Sequence, residues 1–368
     1  MNPNRSDRPR PAPGGQQGFV LVAVLVALVV LTLLATAIAT TSERAVQEAR
    51  ENSDAFEAEV AMTSTRDTLL FMFNTQRRTY GGLTIDKQVS WSAGEATASR
   101  ASADEDSGLP PMLPIGNEIR FDGTPYQGLN GVRFALRDDG GRLSPNWTFD
   151  LYRPGFYGQL GVTAEQLPEL EAKRLDYQDP DNLFRLGGAE AEDYRRKDLP
   201  PPTNRPLATP LELRRVMGWG QALQGLDDAQ VVSRLTTARN VMVNVNSAPP
   251  AVLQALPGVD KDVAQRIVGM RQTMPFMLPW QFLDTFKLPL DELAPISMLA
   301  TSSGTLQLWH NAGGPIRSVH WTLTPGNEGG RPWRLDYTLV LPRDPASDQT
   351  PARTIPTPLF ADPGTVER

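Results

Sequence analysis

The sequence predicts an α+β chain, in which a long N-terminal helix leads into an antiparallel sheet domain with a large all-α domain inserted in it. Three observations predict this. Residues 19–42 carry no charged side chain, and no proline or glycine interrupts the helical pattern from there to about residue 78. Short runs with β-type alternation occur over 108–147 and again over 304–341, divided by Gly, Pro and Asp. Between them, from Thr163 to about Phe286, the pattern is helical and broken by loops.

Composition sets the outer limits. The 368 residues suffice for two or three domains, and the formal net charge of -6 opposes a general nucleic-acid binder, which needs a basic face. There is no cysteine, so disulfides, thiolate nucleophiles and cysteine-ligated zinc are excluded. His310 and His320 are the two histidines, both in strand-like, aromatic-bearing segments. No phosphate-binding glycine loop, G-x-S-x-G elbow or H-E-x-x-H motif occurs, and the chain is read as a non-enzyme.

The first element is polar: residues 1–17 are rich in Pro, Gly and Gln, and Arg5, Arg8 and Arg10 place this leader on the cytoplasmic side. The uncharged run from Phe19 to Ser42 exceeds the roughly 20 residues that span a bilayer as a helix. Three readings compete for it: a secretory signal with Ala37-Ile38-Ala39 as the cleavage site, a plain anchor, and the first half of a longer helix. A signal's apolar stretch is only roughly 7–15 residues. Beyond Ser42, Ala45, Ala49, Phe56, Val60 and Thr63 form one semi-apolar stripe among good helix formers. One helix over 19–78, on the order of 90 Å long, accounts for both halves.

The middle of the chain comes next. Val132, Phe134 and Leu136 alternate with Arg133 and Arg137, as in a strand with one buried face, and Asp139-Gly140-Gly141 makes a turn. Thr163 with Gln166 fits a capping box at the start of the helical block. In "LDYQDPDNLFRLGGAEAEDY", Pro180 and Gly187-Gly188 force the chain to fold back and gather carboxylates. Such a loop is either a solvated acidic surface or an oxygen-rich site for a hard cation such as calcium. Its spacing is not that of an EF-hand.

In "VNVNSAPPAVLQALPGVDKDVAQRIVGMR", Ser247 caps a helix through Leu256, Leu256–Val259 turns, and Asp260–Met270 forms a second helix. This is a helix-hairpin-helix pattern. In nucleic-acid proteins such a turn holds a phosphate, with Lys261, Arg266 and Arg271 available to assist. Asp260 and Asp262 at the turn oppose that use, and packing or partner contact is the preferred reading. Three runs within 304–341 form an antiparallel meander completing the sheet begun near Val132, and the Pro-rich tail after Pro342 is expected to be disordered.

A basic leader, Gly18 followed by Phe19, an uncharged run and an amphipathic continuation resemble type IV pilins and type II secretion pseudopilins. The resemblance implies that a prepilin peptidase cuts between Gly18 and Phe19 and methylates the new terminus. Members usually carry Glu at the fifth mature position, which here is Ala23. The large K-type minor pseudopilin lacks that acid, and "DDGGRLSPNW", "LDYQDPD…GGAEAEDY", "NRPLATPLELRRVMGW" and "VNVNSAPP…LPG" are similar to K-type stretches. Ser144 and Pro145 depart from the family's usual Asn-Leu.

The resemblance implies a structural calcium site, with Asp176, Asp179, Asp181 and Glu190 as ligands and Asp193 and Asn204 as further candidates. It also implies a subunit at the tip of the secretion pseudopilus of a Gram-negative bacterium. That subunit would be single-pass in the inner membrane with its bulk in the periplasm. It would bind I- and J-type minor pseudopilins and no nucleic acid, initiating assembly for protein export. The domain organisation is then a leader over 1–18, an N-terminal helix over 19–78 (19–42 in the membrane), and a first pilin-like α/β segment over 79–160. The inserted helical domain occupies 161–300, a second pilin-like segment completes the sheet over 301–342, and the tail covers 343–368. The alternative is a membrane-anchored helix-hairpin-helix DNA-binding protein.

Overall fold

The computed structural model describes residues 17–88, 112–146, 152–240, 242–291, 294–311, 313–326, 330–343, 351–355 and 357–360. Residues 1–16 of the leader and, within the tail, residues 344–350, 356 and 361–368 lie outside the described residues.

The chain divides into two units, residues 1–59 and 60–368. Helix α1 runs from Gln17 to Thr75. In the first unit it exposes its apolar side chains all round, with Phe19, Leu21 and Leu33 each at least 65% exposed. Its hydroxyls satisfy themselves: Thr32 donates to the Val29 carbonyl at 2.8 Å and Thr36 to that of Thr32 at 2.8 Å. An apolar solvent would otherwise make those groups costly, so the segment suits a bilayer.

In the second unit, the last turns of α1 bury Ala61, Leu69, Leu70, Met72 and Phe73. This face differs from the expected stripe, since Phe56 and Val60 are exposed. The sheet, and not the stripe's own periodicity, selects which residues are covered. The helix also ends before the expected residue 78. Gln76–Arg78 form β1, which pairs antiparallel with β2 (Leu83–Gln88).

The main sheet has five antiparallel strands: β3 (Asp122–Gln127), β4 (Val132–Asp138), β7 (Ser303–His310), β8 (Gly313–Leu323) and β9 (Trp333–Leu341), in the order β3-β4-β7-β8-β9. Val132, Phe134 and Leu136 point into the core as the alternation predicts. Phe73 stacks on Trp321 with ring centroids 4.2 Å apart, joining α1 to β8.

Between β4 and its neighbour β7 lies the helical block: α2 (Arg153–Gln159), α3 (Leu167–Gln178), α4 (Ala191–Arg196), α5 (Trp219–Ala222), α6 (Asp228–Arg234), α7 (Pro250–Leu253), α8 (Lys261–Thr273) and α9 (Pro279–Phe286). The short strands β5 (Val243–Asn244) and β6 (Ile296–Ser297) pair in parallel within it. Its own core includes Tyr152, Phe156, Tyr157, Trp219, Val252 and Phe282. Helix α2 shares this core, although it precedes residue 161.

The capping box forms at Thr163 and Gln166, with N–H to side-chain distances of 3.1 and 3.4 Å. Ser247 does not cap a helix as expected. Its hydroxyl donates to Asp138 at 3.0 Å, and α7 ends at Leu253, short of the predicted Leu256.

A buried polar knot joins block and sheet. Asp138 accepts from Asn244 Nδ2 at 2.8 Å and from the Thr301 amide at 2.8 Å. Asp139 accepts from Arg142, Ser303 and, at 2.8 Å, Thr236. Burial pushes the Asp139 carboxyl up, but Arg142 and His320 outweigh it and hold it well below the usual carboxylate range. Gly141 permits the tight corner, because a Cβ there would lie 2.6 Å from Ser247 Oγ.

The tail departs from its expected disorder over 351–355 and 357–360. The Arg353 amide donates to Pro125 and its carbonyl accepts from Gln127, both at 2.9 Å, while Ile355 is buried in the sheet core. The backbone groups on the outer side of β3 need partners, and this requirement outweighs the tail's polar composition.

Candidate metal centre

Helix α3 carries Asp176 in its last turn and Asp179 directly follows the helix; Glu190 precedes α4. Pro180 and the two glycines bring these ends together. Gly187 has φ +78°, and a Cβ at Gly188 would overlap Asp176 Oδ2, so a side chain at 188 would displace that carboxylate. One carboxylate oxygen from each of Asp176, Asp179 and Glu190 lies within 4.8 Å of the other two.

Asp176 is fully buried and Glu190 is 4% exposed. Both Glu190 carboxylate oxygens and Asp179 Oδ1 are buried without a hydrogen-bond partner. Burial, then the charges of Asp176, Asp179 and Asp181, push the Glu190 carboxyl up to about 7. Three acids facing one another with orphaned oxygens form a donor set that fits a hard cation.

The other predicted residues lie around this triad. Asp181 is exposed and accepts from the Leu183 amide at 2.9 Å. Asn204 donates its amide side chain to the Asp181 carbonyl at 3.2 Å and its backbone N–H to the Tyr177 carbonyl at 3.1 Å. Glu190 is the N-cap of α4, and Asp193, at the third position of the helix, accepts from the Glu190 amide at 3.0 Å and pairs with Arg196. Sequence reasoning passed over Arg185, whose guanidinium bridges Asp176 and Asp179. A lone cation inside an acidic loop was the available signal.

At the helix-hairpin-helix-like stretch, Asp260 Oδ1 accepts the Val263 amide at 2.8 Å, placing a carboxylate where a phosphate would bind. Arg271 is buried and donates to the Val245 and Ala248 carbonyls at 2.7 Å.

An exposed apolar N-terminal helix, an antiparallel sheet and an inserted helical domain define an α+β protein. Two family models match, each described as type II secretion system, protein K: one over residues 155–225, the other over 243–303. The first contains the acidic triad and the second the hairpin stretch. Both matched segments carry type II secretion system protein K domains, and together they support a minor pseudopilin of that system. No curated protein matches the sequence. Among solved structures, the chain is similar to one in the crystal structure of the GspK-GspI-GspJ complex from the enterotoxigenic Escherichia coli type 2 secretion system. The identity is 16% and the TM-score 0.44, over 82% of this chain and 98% of that one.

Proposed function

We propose that this minor pseudopilin caps the tip of the secretion pseudopilus and nucleates it together with I- and J-type minor pseudopilins. The observation that carries this reading is the residue at position five of the processed chain. Ala23 sits in a helix segment with no charged residue from Phe19 to Ser42. In an apolar layer a carboxylate is retained only where a partner charge meets it, here a neighbour's N-terminal amine. A subunit that adds no further neighbour on one side dispenses with the acid. The chain is a structural component, anchored through α1 with residues 60–368 on the periplasmic side.

Prepilin peptidase processing between Gly18 and Phe19 belongs to the same reading. Its test is mass spectrometry of the full chain expressed with and without a prepilin peptidase, alone and with I- and J-type partners. A methylated Phe19 terminus seen only with the peptidase, and a co-purifying ternary complex, are the expected results. An intact Met1, or partners that do not co-purify, overturns it.

We also propose that Asp176, Asp179 and Glu190 hold a structural calcium ion, with Asp181 and Asn204 beside them. Bound calcium would supply the positive charge that lets the end of α3 and the start of α4 stay together. Glu190's unpartnered oxygens support this. Calcium at a hundred times its dissociation constant stabilises the fold by about 2.7 kcal/mol. Thermal unfolding in calcium and in chelator measures it, and equal midpoints overturn it. The DNA-binding alternative is opposed by Asp260 at the hairpin turn.

A further inference from the structure

The acidic pocket already contains a cation, and it belongs to the chain. The Arg185 backbone N–H donates to Asp176 Oδ1 and Oδ2 at 3.3 and 3.0 Å. Its Nη1 donates to Asp176 Oδ1 at 2.6 Å and also reaches Asp179 Oδ2. Asp176 is fully buried, whereas the Arg185 side chain is 43% exposed. The carboxylate is fixed, and the guanidinium has an open way out to solvent.

The loop that carries Arg185 is held lightly. Leu183, Phe184 and Leu186 are 79%, 72% and 101% exposed. Asn204 reaches the Asp181 carbonyl at the loop's start. Within the loop, the Leu183 amide bonds Asp181 and the Gly188 amide bonds the Arg185 carbonyl, both over short sequence distances.

We propose that Arg185 is a tethered counter-ion, standing between Asp176 and Asp179 where a divalent cation binds. The arriving cation displaces its guanidinium and rearranges the loop over 181–188. The inference rests on the cation-site reading above. Glu190 and Asp179 Oδ1 take no bond from Arg185 and receive the ion first. Calcium approaches its oxygen ligands to about 2.3–2.6 Å, and a guanidinium on the same oxygens is excluded by contact and by like charge. The arginine therefore sets the affinity: the ion must be bound well enough to replace it.

The test is calcium titration calorimetry of the full chain in detergent, as wild type, Arg185→Gln and Arg185→Lys. Hydrogen exchange of the segment over 181–188 is followed with and without calcium. Arg185→Gln is expected to bind calcium about tenfold more tightly, the size of an ordinary coupling between two competing occupants. Arg185→Lys falls between, because its ammonium is a point charge without the planar fork, and it carries the test if the glutamine variant does not fold. Calcium is expected to change exchange over 181–188 in the wild type. Equal or weaker binding by both variants, or exchange that calcium leaves unaltered, overturns the proposal while leaving the site. If neither wild type nor Arg185→Gln binds calcium, the site itself falls, and this inference with it.

Discussion

Gly188 and Asp176 share one space: the carboxylate of Asp176 occupies the place a side chain at 188 would take. Gly188→Ala is therefore expected to destabilise the chain by about 1–3 kcal/mol, as overpacking does. It should also abolish any stabilisation by calcium. Thermal unfolding with and without calcium checks both, and a variant as stable and as responsive as wild type contradicts the packing described.

His320 offers a pH prediction. Its Nε2 faces Asp139 at 2.9 Å and its Nδ1 faces Asp336 at 2.8 Å. Burial disfavours the charged ring, but the hydrogen bonds to Asp139 and Asp336 outweigh it and raise the pKa, with Arg142 opposing. A histidine whose folded pKa exceeds its unfolded value of about 6.5 gives stability that is full below that pH. The contribution is lost as pH rises through the folded pKa. His320→Gln should lose about 1–3 kcal/mol at pH 6 and flatten the decline seen at higher pH. Denaturant unfolding across pH 5–9 measures it.

Asp139 and Arg142 form an ion pair in which each side chain is 1% exposed. Breaking such a pair from one side leaves a buried charge alone. Asp139→Asn is expected to cost about 3–5 kcal/mol. A loss under about 1 kcal/mol by calorimetry would show that the knot contributes little to the union of sheet and helical block.

Trp321 stacks on Phe73 and is 1% exposed. Trp321→Ala should cost about 3–5 kcal/mol and loosen the end of α1 from the sheet. Hydrogen exchange over 60–75 should rise together with the fall in midpoint; a fall without faster exchange there would place the loss elsewhere.

Local signals proved legible where one physical requirement governed the residue. The charge-free run and its continuation predicted α1, and the alternation of Val132, Phe134 and Leu136 predicted β4 with its buried face. The sheet's division by a helical block was readable from the order of patterns alone. Three of the acids the sequence singled out, Asp176, Asp179 and Glu190, do converge.

The illegible features depend on distant partners. Ser247 has the chemistry of a helix cap, but Asp138 lies within reach and takes its hydroxyl. Asp193 offers a carboxylate to a cation in the sequence, and in the fold it accepts the Glu190 amide at the start of α4. Arg185 acquires its partners only when the loop folds back. The tail's composition argued against order, and only the position of β3 reveals its pairing.

That last pairing has a consequence for how the subunit meets others. Arg353 supplies backbone partners to Pro125 and Gln127, so the outer edge of β3 is covered at its C-terminal end by the chain's own return. That stretch gives a stray strand nothing to zip onto. A sheet-bearing neighbour is thereby kept from pairing edge to edge at those residues. Its contacts there are left to side chains, which can discriminate between partners as a bare backbone cannot.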